Sequence, residues 1–115
     1  MKNIYVLNVE NSKLTVSEAL ARIETEIDAI RLIKIPCVLK VIHGYGSSGN
    51  GGEIKKNLPY FLHNLKAKTK ISDWAANSKF SPLSAKYKKY TKIFPALVLD
   101  SDLKNLNPGI TLIFI

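Results

Sequence analysis

Residues 37–53 read CVLKVIHGYGSSGNGGE, and this stretch decides the fold. Cys37 to Ile42 is a short apolar run rich in β-branched residues, the pattern of a largely buried strand. Five of the six glycines of the chain follow between Gly44 and Gly52. Beyond them Ile54, Leu58, Phe61, Leu62 and Leu65 recur at helical spacing. A strand, a glycine loop and a helix are therefore expected in succession. A helix start leaves its first amides without partners and carries a partial positive charge, so such a loop suits an anion. Gly44, Gly46, Ser47 and Ser48 would line the site, with Lys55 and Lys56 just beyond.

Outward from this unit, Ile4 to Val9 is a second apolar run and predicts the first strand. Thr15 and Glu18 form a capping box signature. Ala19, Leu20, Ile23, Ile27, Ile30 and Ile33 then predict an amphipathic helix that ends before Pro36. Pro59 falls inside the second helix and is expected to bend or weaken its start. Further on, residues 70–75 predict a short strand, 84–92 a basic helix and 96–100 a weak strand. Asn107-Pro108-Gly109 is a turn signal ahead of a final strand, ITLIFI at 110–115. The order predicts an α/β two-layer sandwich, a mixed four-stranded sheet with two helices on one face. Residues 76–106 would leave the other face exposed or partly cover it.

The chain has 115 residues and 46% apolar content, which suits one small soluble domain with a single core. Its single cysteine, Cys37, rules out an internal disulfide and reads as a buried hydrophobe. No run is long enough for a signal or membrane span, so a cytoplasmic protein without a membrane partner is expected. The net charge is +8, and residues 53–92 alone carry ten lysines against Glu53 and Asp73. A local excess of that kind points to a polyanion, above all nucleic acid. Lys86, Lys88 and Lys89 on the basic helix are candidate contacts. Aromatic side chains among these lysines, including Trp74, have the faces on which bases stack, although core packing is the commoner role of such residues.

His43 stands where strand meets loop, within reach of an anion held there, and is the candidate general acid or base. His63 reads as a surface residue. No metal-ligand spacing exists in the sequence. Gly44-x-Gly46-x-x-Gly49 matches a dinucleotide fingerprint, but it follows the second strand of a chain too short for two mononucleotide halves. No Gly-Lys-Ser/Thr closes the loop, which excludes a P-loop.

Leu14-Thr15-Val16-x-Glu18-Ala19-Leu20, Val41-Ile42-His43-Gly44-x-Gly46-Ser47-x-Gly49 and Gly109-Ile110-Thr111-Leu112 together resemble the small MutS-related (Smr) domain family. The resemblance covers about the first 68 residues and the last strand, and leaves 76–106 as an extension. It implies a βαβαββ sandwich that binds nucleic acid, with nicking endonuclease activity in some members. DNA is expected ahead of RNA, though the residues themselves do not separate the two. The family's His-Gly-x-Gly motif is present at His43, Gly44 and Gly46. Its other motif, Leu-Asp-x-His/Arg-Gly, reads Leu7-Asn8-Val9-Glu10-Asn11 here, so an amide replaces the acid. Glu10 is the candidate substitute. Binding without cleavage is the expected function, with a nuclease built on His43 and Glu10 (and Mg²⁺) as one alternative. A small-anion site or a protein-interaction accessory domain is the other. No cofactor is expected for binding alone, and the oligomeric state stays open.

Overall fold

The computed structural model describes residues 3–10, 13–45 and 51–115. Gly46, Ser47 and Ser48 of the glycine loop lie outside the described residues. The sheet contains β1 (Ile4–Asn8), β2 (Val38–Ile42), β3 (Asp73–Ala76) and β4 (Ile110–Phe114), in the order β1-β2-β4-β3. β1 and β2 are parallel, and β4 runs antiparallel to both β2 and β3. The mixed four-stranded sheet is therefore as the sequence predicts. The C-terminal ends of β1, β2 and β3 share one end of it with the start of β4.

Two helices, α1 (Val16–Arg31) and α2 (Gly51–Ala67), cover one sheet face. The capping box forms in full: the Thr15 hydroxyl accepts from the Glu18 amide at 3.1 Å, and the Glu18 carboxylate accepts from the Thr15 amide at 2.9 Å. Ala19, Ile23, Ile27 and Ile30 of α1 and Ile54, Leu58, Leu62 and Leu65 of α2 meet Leu7, Leu39, Val41 and Ile113 of the sheet. Each buried aliphatic side chain there contributes about 1.5–3 kcal/mol relative to exposure. α2 continues through Pro59, whose ring stands on the exposed side of the helix.

The opposite face is covered by residues 77–106. They form α3 (Ala85–Ile93), α4 (Ser101–Lys104) and two 3₁₀ turns, Asn77–Lys79 and Pro95–Leu99. Alternation along the strands supplies the second core, in which Val38, Ile110, Leu112 and Phe114 meet Phe80, Tyr90, Phe94, Leu97 and Leu103. The Tyr90 and Phe114 rings stack with centroids 3.6 Å apart. The weak strand expected at 96–100 is instead the 3₁₀ turn Pro95–Leu99. Pro95 presets a helical φ at its start. Among the described residues, no helix is long and apolar enough to cross a membrane.

Candidate functional site

The ends of β1 and β2 and the start of β4 bring Glu10, His43, Gly44 and Gly109 together. His43 and Gly44 donate their backbone N–H groups to one acceptor, the Gly109 carbonyl, at 2.8 and 3.1 Å. The Asn107 carboxamide in turn accepts from the Gly109 amide at 2.8 Å, which fixes the turn ahead of β4. Gly44 has φ +74°, and a Cβ added to it would stand 2.9 Å from Glu10 Oε2. A Cβ on Gly109 would stand 3.0 Å from Gly44 Cα. Two backbones and one carboxylate side chain thus share a space that only glycine leaves open. Gly44→Ala is expected to lower stability by about 1–2 kcal/mol from its left-handed backbone alone. Urea unfolding reads the loss, and an unchanged midpoint would show that the loop relaxes around the methyl group.

His43 is buried, with 1% of its surface exposed. Its Nδ1 lies 2.6 Å from the Gly44 carbonyl oxygen, which can only accept, so Nδ1 carries the proton. Its Nε2 lies 3.0 Å from Thr111 Oγ1 and accepts from that hydroxyl. Both ring nitrogens are therefore engaged within the protein. Burial, aided by the Lys55 ammonium, holds its pKa below the ordinary 6.5 against the opposing pull of the Gly44 carbonyl and the Glu10 carboxylate. His43 therefore braces the Gly44 corner: proton transfer to its Nε2 would have to displace Thr111, and transfer from its Nδ1 would have to displace the Gly44 carbonyl.

Glu10 is exposed, and its backbone amide donates to Asn8 Oδ1 at 2.8 Å. The Asn8 carboxamide is spent on shaping that turn, and the Glu10 side chain reaches back over Gly44. Glu10, Gly44, His43 and Lys55 therefore belong to one locality. Lys56 stands exposed beside Lys55 near the start of α2. Lys88 and Lys89 are exposed on α3, across the sheet from α2. Lys86 is committed within the protein, donating to Asp73 Oδ1 at 3.1 Å and to the Trp74 carbonyl at 2.7 Å.

Thr111 and Asn107 are site residues that sequence reasoning missed. Asn107 was visible as a turn residue, but its connection to His43 needs the pairing of β2 with β4. His63 is exposed, and Cys37 is buried with its thiol donating to the Ile35 carbonyl at 3.3 Å. Among the described residues, no three His, Cys, Asp or Glu side chains are grouped to hold a metal. Compared with known proteins, the chain matches no family model, no curated protein and no solved structure.

Proposed function

We propose that this chain is a nucleic-acid-binding domain of the Smr type that holds its partner without cutting it. The observation that carries the reading is the state of its lysines. Of the ten between residues 53 and 92, Lys66 and Lys86 bridge to Asp73, and Lys70 bridges to Glu24 and Asp28. Lys55, Lys56, Lys68, Lys79, Lys88, Lys89 and Lys92 are exposed and make no ion pair with the described residues. Uncompensated ammonium groups in that number attract phosphate and release its counterions.

The engagement of both His43 nitrogens favours binding over cleavage, because a general base needs a free lone pair aimed at the substrate. Glu10, close to Gly44, is the remaining carboxylate candidate. Incubation with labelled single- and double-stranded DNA and RNA, with and without Mg²⁺, tests the reading. Bound, intact strands are expected. Mg²⁺-dependent cleavage that disappears in Glu10→Gln, while affinity persists, would replace it with the nuclease. Glu10→Gln is the cleaner probe, since His43→Ala would also open a hole under the loop.

A further inference from the structure

The chain has one tryptophan, Trp74, on the edge strand β3. Its ring packs partly against the core beneath α1 and α2 and also lines a cleft of about 450 Å³. Pro59 of α2, Ala76, Lys79, Ser84 and Lys86 form the rest of the wall used here. The Lys86 ammonium sits 5.5 Å from the Trp74 ring centroid, anchored by Asp73 and the Trp74 carbonyl. Among the aromatic side chains near the lysines, Phe80, Tyr90 and Phe94 are consumed by the core around Phe114. Trp74 combines a half-buried ring, a cleft, the Lys86 ammonium over the ring and Lys79 on the cleft wall.

The edge itself argues against a peptide as occupant. Strand addition needs free outward N–H and C=O groups. At Trp74 the N–H donates to Asp73 Oδ1 at 2.8 Å, and the C=O accepts from Lys86. A flat π-face bordered by cations suits a nucleobase with its phosphates instead. The cleft includes Ala76, the last residue of β3. Ala76 ends β3 opposite Thr111, and Ile42 ends β2 opposite Ile110, so both strands finish at the start of β4. Lys55 and Pro59 lie four residues apart, hence on one row of α2, and Pro59 is only about 12 Å along the axis from the helix start. A wider cavity of about 620 Å³ at the other end of the sheet carries Arg31, Lys34, Lys66 and Lys70, the last two paired with acids, but no aromatic ring is among its lining residues to stack a base.

We propose that the Trp74 cleft seats an unpaired base of a single-stranded nucleic acid, with adjoining phosphates at Lys79 and Lys55. The proposal rests on the nucleic-acid reading above. Bases inside a duplex present no open face, so the cleft selects single strands. The test uses the intrinsic emission of Trp74 together with the anisotropy of a fluorescein-labelled oligothymidylate and of an abasic oligomer of equal length. Thymidylate is expected to quench the emission saturably, in step with the anisotropy. The abasic strand is expected to bind more weakly and leave the emission unchanged. Trp74→Leu should weaken thymidylate binding by roughly 5- to 150-fold, the share of one stacked base, and leave abasic binding as it was. Trp74→Phe should retain most of the affinity. Equal affinity for the two oligomers with unaltered emission overturns the cleft and leaves the general binding reading standing. Failure of both to bind overturns both. If the leucine variant does not fold, the comparison of the two oligomers on the wild-type protein still decides.

Discussion

Raising salt from about 50 to about 200 mM is expected to weaken oligothymidylate binding by roughly 50-fold, if about four phosphates are neutralised. Each single-strand phosphate contributes about 0.7 to the slope of log affinity against log salt, and a duplex phosphate about 0.9. The seven exposed lysines of residues 53–92 that make no ion pair with the described residues provide more than enough cations for this. Reversing Lys55, Lys56 and Lys79 to glutamate should flatten the slope by about 2, because three contacts are lost on the side of α2 and β3. Reversing Lys88, Lys89 and Lys92 should change it less, because α3 packs on the other sheet face. Lys86 is left out of both sets, since its reversal would also set a carboxylate against Asp73. Affinity indifferent to salt would show that these lysines are only a solvated surface. A larger loss from the α3 set would move the nucleic-acid path to that face.

The elements that sequence made legible are those with a clear period and clear ends. β1, α1, β2, α2 and β4 stand within a few residues of where apolar spacing, the Thr15 box and the glycines set them. The stretch at 96–100 was misjudged because Ala96-Leu97-Val98-Leu99 has strand composition without strand alternation. Leu97 is buried but Leu99 is 78% exposed, which a half-buried strand would not show. The covering of the second face was legible only as an alternative, because the aromatic residues Phe80, Tyr90 and Phe94 are too widely spaced to declare a shared core with Phe114.

For the site, the meeting of Glu10 with the His43-Gly44 corner could be anticipated, because adjacent parallel strands end side by side. The burial of His43 could not. It depends on Gly109 and Thr111 arriving from the far end of the chain, and on a hydrogen bond that fixes the tautomer. Lys40 was hidden for the same reason. Within CVLKVI it reads as an interruption, and its partners are 60 and 62 residues away.

Removing both carboxylates that hold Lys40 is expected to cost about 3 kcal/mol of folding stability, because an ammonium stripped of its partners stays buried. The Lys40 side chain is 8% exposed, and its Nζ donates to Asp100 and Asp102 at 2.9 Å each. Asp102 is 51% exposed, so water partly screens that pair and the cost belongs at the low end of the buried-pair range. Burial alone would lower the Lys40 pKa, but the two carboxylates overcome it and hold the pKa above 10.5. Burial likewise opposes ionisation of Asp100, and Lys40 with the α4 amides overcomes it, leaving the Asp100 pKa below 3.8. The linkage therefore has two signs. Asp100 contributes stability that is present above pH 3.8 and lost as the pH falls through its lowered value. Lys40 contributes stability that is present below pH 10.5 and lost as the pH rises through its raised value. Asp100→Asn with Asp102→Asn tests this while preserving an oxygen at Asp100 for the α4 cap, and urea unfolding followed by Trp74 emission reads the result. Adding Lys40→Met should restore most of the loss, since a buried ion pair replaced by an apolar side chain of similar length is often neutral or stabilising. A double asparagine variant as stable as wild type would show that the ammonium finds water and that the pair is ornamental to the fold. If the loss and its rescue are both observed, Asp100 and Asp102 are committed to Lys40 and do little to offset the lysines that face a polyanion.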